Sequence, residues 1–143
     1  MITHLTQPTR TSCGPTCVAM ITGFNFNHVL HVLQVSRGDR RKKIKWHSMN
    51  VAEMTRVLAA FNRDVDRRIR VEDMTDSGDE YGLLRVHEPR KSGNGHRASW
   101  HWCIIANGVI HDPLMTCGID QRTWFHEAKD HKIFFYAVTR RKG

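Results

Sequence analysis

Cys13 stands directly before Gly14-Pro15 and ahead of an apolar run to Thr22, a position that the residue types mark as the first turn of a helix. A cysteine there is a nucleophile to be tested, because the partial positive charge of a helix N-terminus favours thiolate over thiol. Alone the signal is weak, since most cysteines are small core residues. A second pair of groups must converge on it. Asn107-Gly108 is the dipeptide of a two-residue hairpin, and a hairpin closed there sets Asp112 across from Cys103 and His101 across from Leu114. His101 and Asp112 then share a face as diagonal neighbours about 7 Å apart at the backbone, close enough for a carboxylate to accept from an imidazole N–H. Asp112 would fix the tautomer, and the other ring nitrogen would take the thiol proton. The plain alternative is that Asp112-Pro113 opens a turn and His101 is a surface strand residue; Cys13 is what tips the balance.

These groups need elements to hold them. Helix one is expected over about Cys13 to Thr22, closed by Gly23, and Asn27 is the expected cap of a second helix carrying Val29, Leu30 and Leu33. Ser36-Arg37-Gly38-Asp39 ends that helix. Asn50 followed by Glu53 has capping-box spacing, and Val51, Met54, Val57, Leu58 and Phe61 recur at helical intervals. After Asn62 the period changes to two: Val65, Ile69 and Val71 alternate with charged residues, Tyr81 to His87 reads as strand, Trp100 to Ala106 and Val109 to Asp112 flank the hairpin turn, and Ile133 to Thr139 is the last strand. Asp120 is placed to cap a short helix through Ala128. Helices first and strands afterwards predict an α+β fold with an antiparallel sheet, as one domain over residues 1–143.

With its motifs in that order, the sequence resembles the papain-like cysteine peptidases. Gln7-Pro-Thr-Arg-Thr-Ser-Cys13-Gly-Pro-Thr-Cys-Val-Ala-Met looks like their oxyanion-glutamine and nucleophile segment, and His101-Trp-Cys-Ile-Ile with Ile110-His-Asp112-Pro looks like their histidine and third-member strands. The Asp-Pro ending and the short helical N-terminal half are most similar to the bacteriocin-processing, double-glycine leader peptidases, here in stand-alone form. The resemblance covers roughly residues 5 to 139. It implies a papain-like fold with N-terminal helices packed on a C-terminal antiparallel sheet. It also implies roles: Cys13 attacks a carbonyl carbon, His101 holds and returns the proton, Asp112 orients His101, and the Gln7 amide with the Cys13 backbone N–H donates to the oxyanion. Asn107 occupies the turn and ranks well below Asp112 as third member. The expected activity is therefore a cysteine hydrolase, a peptidase first of all, acting on a peptide, isopeptide or amide bond through a Cys13 thioester. A deamidase or acyltransferase would share that intermediate.

Composition bounds the rivals. The 143 residues carry 22 Lys plus Arg against 14 Asp plus Glu, a net charge of +8, with 40% hydrophobic and 25% charged residues, which excludes disordered and fibrous classes. The longest apolar runs fall far short of the roughly 18 residues of a membrane span, no secretory signal is visible, and a cytoplasmic location follows as the default. Such a compact basic enzyme would suit a bacterial or phage-encoded factor. Cys13, Cys17, Cys103 and Cys117 lack the paired knuckles of structural zinc sites, so neither metal nor cofactor is expected. Cys103, on the same face as His101, is a minor alternative nucleophile. Arg37, Arg40, Arg41, Lys42, Lys43 and Lys45, with Trp46 following, form a basic loop. It suits an acidic protein or peptide substrate steered to the site, or, in a non-catalytic binding protein, nucleic acid or an acidic partner; nucleic acid is the less favoured because no recognition motif accompanies the charge. Glu72 to Glu80 reads as a solvated acidic turn, and Glu88 to Ser99 as a rim beside His101.

Overall fold

The computed structural model describes residues 2–38, 47–67, 81–89 and 100–141. Three helices come first, α1 (Cys13–Thr22), α2 (Phe26–Ser36) and α3 (Val51–Ala60). Strands β1 (Arg63–Arg67), β2 (Tyr81–His87), β3 (Trp100–Ala106), β4 (Val109–His111) and β5 (Ile119–Asp120) follow, then α4 (Gln121–Glu127) and β6 (Lys132–Arg140). The strands form one antiparallel sheet in the order β1-β6-β2-β3-β4-β5. This is the α+β arrangement that helices followed by strands require.

Local chemistry accounts for most boundaries. Gly23 ends α1 in the left-handed region (φ 77°), its N–H returning to Ala19 O, the standard glycine C-terminus. Asn50 caps α3 by accepting from Glu53 N–H at 2.8 Å, but the reciprocal half of the box is missing because the Glu53 carboxylate pairs with Arg37 instead. Asp120 caps α4 through Arg122 and Thr123 N–H. Asn107 and Gly108 both have positive φ (51° and 75°), the backbone that a two-residue hairpin turn demands. The cap of α2 differs from expectation: it is Asn25, not Asn27, that is extended and accepts from His28 N–H at 2.8 Å. Starting earlier lets the Phe24 ring, just outside the helix, stack on His28 and pack on Phe61. Strand β5, a two-residue rung, has no counterpart in the periodicity of the sequence, and Ile69 and Val71 lie outside the described residues.

Two apolar clusters flank the sheet. Val18, Val29, Leu33, Met54, Leu58, Leu83, Trp102 and Ile104 join the three N-terminal helices to one face. Leu84, Val86, Ile105, Ile110, Trp124 and Phe135 seat α4 on the other. Trp102 is wholly buried, its indole N–H donating to Met49 O at 2.9 Å, so the strand that carries His101 is anchored to the approach to α3 by a large buried side chain with its polar tip satisfied. Among the described residues, no helix is long and apolar enough to cross a membrane.

Candidate active site

The hairpin register is the one that the Asn107-Gly108 turn dictates: Ala106 pairs with Val109, Ile105 with Ile110 and Ile104 with His111. Continued by two residues, it sets Cys103 beside Asp112 and Trp102 beside Pro113. Proline has no N–H to give to a ladder, and the pairing stops at Ile104–His111. Proline forfeits the bond from position 113 to Trp102 O, and the donor and acceptor of the rung's other bond, Trp102 N–H and Pro113 O, are engaged elsewhere. Trp102 N–H is directed at the sulfur of Cys13, and Pro113 O accepts from Gln7 N–H at 2.8 Å. One interrupted rung thus brings the start of α1 and the Gln7 segment against the strands that hold His101 and Asp112.

His101 Nε2 lies 3.2 Å from Asp112 Oδ2, the contact expected from the shared face. With Nε2 donating, Nδ1 is the nitrogen left for a second proton transfer; the Glu88 carboxylate is 4.0 Å from it. Asp112 is almost fully buried and is held from three sides: by His101, by Leu114 N–H on Oδ1 at 3.0 Å, and by the Cys103 thiol. Burial alone would push its carboxyl up, yet the His101 hydrogen bond and charge, with the other two donors, outweigh burial and keep it below the usual range. Cys103 is accordingly a thiol donor to Asp112. Its own titration is pushed well above the ordinary value, first by burial and then by the Asp112 charge, which disfavours thiolate there more than at Cys13. His101, Cys103 and Asp112 offer donor atoms within 4.8 Å of one another, a set with zinc-compatible chemistry, but here the carboxylate accepts from both neighbours.

Cys13 opens α1 as expected, and it is buried, 8% exposed. The thiol sits near the backbone N–H groups of Trp102, Gly14 and Cys13 itself, all of which favour thiolate; burial is the larger influence, and the net shift is upward. The helix terminus and these N–H groups thus act against desolvation at this thiol, and desolvation is the stronger. Among the described residues no hydrogen bond joins Cys13 to His101. Gly14 is required by packing, since a Cβ there would lie 2.9 Å from Met49 Sδ and 3.1 Å from its Cβ. Ser12 precedes the helix without capping it; its hydroxyl donates to Thr9 O and accepts from Thr9 N–H. The Gln7 amide N–H2 donates into the same loop, to Thr9 O at 2.8 Å and Arg10 O at 3.1 Å, while its Oε1 is buried without a partner.

Of the basic loop, Arg37 holds the fold: it pairs with Glu53 and donates to Ser48 O at 2.8 Å. The Arg37 guanidinium lowers the Glu53 carboxyl. Arg40, Arg41, Lys42, Lys43 and Lys45 lie outside the described residues, as do the Glu72 to Glu80 turn and most of the Glu88 to Ser99 rim. Sequence reasoning misses the contributions of Trp102 N–H and Pro113. The signal that points to them is the proline itself, taken at its register position opposite Trp102.

No protein-family model matches the sequence, and no curated protein does. Among solved structures, the crystal structure of the peptidase domain of Streptococcus ComA, a bifunctional ABC transporter involved in a quorum-sensing pathway, is similar with a TM-score of 0.59 at 10% identity. The match covers 99% of this chain and 100% of that one. The resemblance carried by the three motifs and this likeness in architecture agree, and the chain has the fold of a papain-like peptidase domain.

Proposed function

We propose that the protein is a cysteine peptidase that works through an acyl-enzyme on Cys13. The observation that carries this reading is the His101–Asp112 contact at 3.2 Å on the strands abutting the N-terminus of α1, where Cys13 stands. Fold likeness to a peptidase domain supports it. In the free protein burial favours the neutral thiol. Substrate brings the chemistry into play: His101 Nδ1 takes the thiol proton, sulfur adds to the scissile carbonyl carbon, and the C–N bond breaks as the imidazolium protonates the leaving amine. Water, deprotonated by the same imidazole, then hydrolyses the thioester and returns the thiol. Asp112, kept ionised by its three donors, holds the tautomer and stabilises the imidazolium.

The oxyanion would take Cys13 N–H and the Gln7 amide. Gln7 must release Thr9 O or Arg10 O to donate, so its contribution is realised only when charge develops, which is where a donor accelerates a reaction. An acidic protein or peptide substrate suits the net charge of +8.

The test is cleavage of peptide and isopeptide panels followed by mass spectrometry, with the Cys13 thioester trapped by acid quench. Wild type should yield new termini and a mass adduct on Cys13, both absent in Cys13→Ala. Cleavage that survives Cys13→Ala overturns the reading.

A further inference from the structure

At the other end of α1 from Cys13, about 15 Å along the helix axis, lies a cavity of about 510 Å³. Arg63 and Arg140 line it, together with Asn25, Tyr81, Leu5 and Phe24. The two arginines are direct partners in the β1–β6 register, so both project to one face. Like charges directly opposite in an antiparallel pair repel, and a fold that keeps such a pair at a cavity ordinarily supplies a counter-charge. None of the described carboxylates does so. Asp64, the neighbour of Arg63, points to the opposite face and pairs with Arg141 at 2.8 Å. Arg63 itself donates to a neutral acceptor, Phe61 O, at 3.1 Å.

Other groups on the walls favour the same sign of ligand. Asn25 uses Oδ1 to cap α2, which leaves its amide N–H2 to donate and puts the positive end of an 11-residue helix beside the arginines. Tyr81 adds a hydroxyl. Leu5 and Phe24 are exposed apolar side chains at the rim, Phe24 half exposed, fit to cover the apolar body of a ligand whose charged head is inside.

We propose that this cavity binds a small carboxylate or phosphate anion bridged between Arg63 and Arg140. The site is separate from the Cys13 centre and does not depend on the peptidase reading. A guanidinium presents parallel N–H donors to either oxyanion, so the two sources are separated by the probe.

Titration calorimetry of the full chain with inorganic phosphate and with benzoate should give saturable binding of at least one: phosphate alone marks a phosphate site, and benzoate the stronger marks a carboxylate with an apolar body. Arg140→Gln should weaken it at least about tenfold, whereas Arg141→Gln, on the opposite face, should not. Arg140 is exposed and holds no partner among the described residues, so this variant keeps the fold; Arg63→Gln is read alongside with a circular-dichroism melt. Without added anion at low salt, Arg140→Gln should raise Tm by removing the repulsion, and saturating phosphate should erase the difference. No saturation by either probe, equal weakening in Arg140→Gln and Arg141→Gln, or a lowered Tm overturns the proposal. So does binding that emerges only in Asp79→Asn/Glu80→Gln, residues that directly precede Tyr81, since the chain's own carboxylates would then be the counter-charge.

Discussion

The two ends of α1 are built oppositely. Its N-terminus is closed in: Cys13 and every residue through Ile21 are buried, and the thiol lies near backbone N–H groups while desolvation pushes its titration up. Its C-terminus opens on a cavity flanked by two arginines that no described carboxylate neutralises. A nucleophile gains from exclusion of water, because fixed dipoles act more strongly there, while a site for a mobile ion must stay open to it. The same ten-residue helix joins them, so substitutions at one end should leave the other's readout untouched.

The largest expected effect is at the closed end. Cys13→Ala should lower turnover by about 10⁴-fold or more, with phosphate binding at the open end unchanged; loss of both would mean that the two ends are one unit. Gln7→Ala should lower kcat about 100-fold to 1,000-fold with KM little altered, measured by steady-state kinetics on the cleaved peptide. A matching rise in KM instead would make Gln7 a substrate-binding group. Gly14→Ala should destabilise the protein by about 1–3 kcal/mol, because Met49 must yield along its whole stem; chemical denaturation reads this, and an unchanged midpoint would show that the first turn of α1 has slack. The smallest effect concerns the strand end before Asp112. The His111 imidazole is held below its ordinary value by burial first and by His4 second, the two rings meeting at 3.1 Å between Nδ1 atoms. A group with its folded value depressed contributes stability above its unfolded value of 6.5, lost as pH falls through the folded value. Thermal melts from about pH 7.5 to about pH 5.5 should therefore decline in wild type and decline less steeply in His111→Gln, the remainder carrying the share of His87, which burial also holds low, with Arg140→Gln declining like wild type.

How much of the molecule is legible in the sequence follows the range of the interactions. A two-residue turn at Asn107-Gly108 sets the register of its own hairpin, so local sequence is enough to place His101, Cys103 and Asp112 together. The helix starts at Cys13 and Asn50 are equally local. The start of α2 is not: the contact that favours Asn25 over Asn27, Phe24 on His28 and Phe61, reaches the end of a third helix. The burial of Cys13 depends on Trp102 and on Met49, residues far along the chain, and no property of the helix start announces it. The Arg63–Arg140 pair belongs to strands at opposite ends of the sheet-forming half, where register is set by the whole core. Residues whose work depends on one turn can be read from their neighbours; those whose work depends on the sheet cannot.

The proline at position 113 has a consequence for how such a centre can be lost. It works as a stop in a zipper: β3 has seven residues and β4 only three, and the slack between them is where Cys13 and the Gln7 segment dock. Were the zipper to close by one more tooth, Trp102 N–H would be claimed by its neighbour strand and Pro113 O would no longer hold Gln7. Sheet formation, ordinarily a gain in stability, would here be a competitor of the proposed centre, and a chain with alanine at that position would be free to trade one for the other while keeping all of its proposed catalytic side chains.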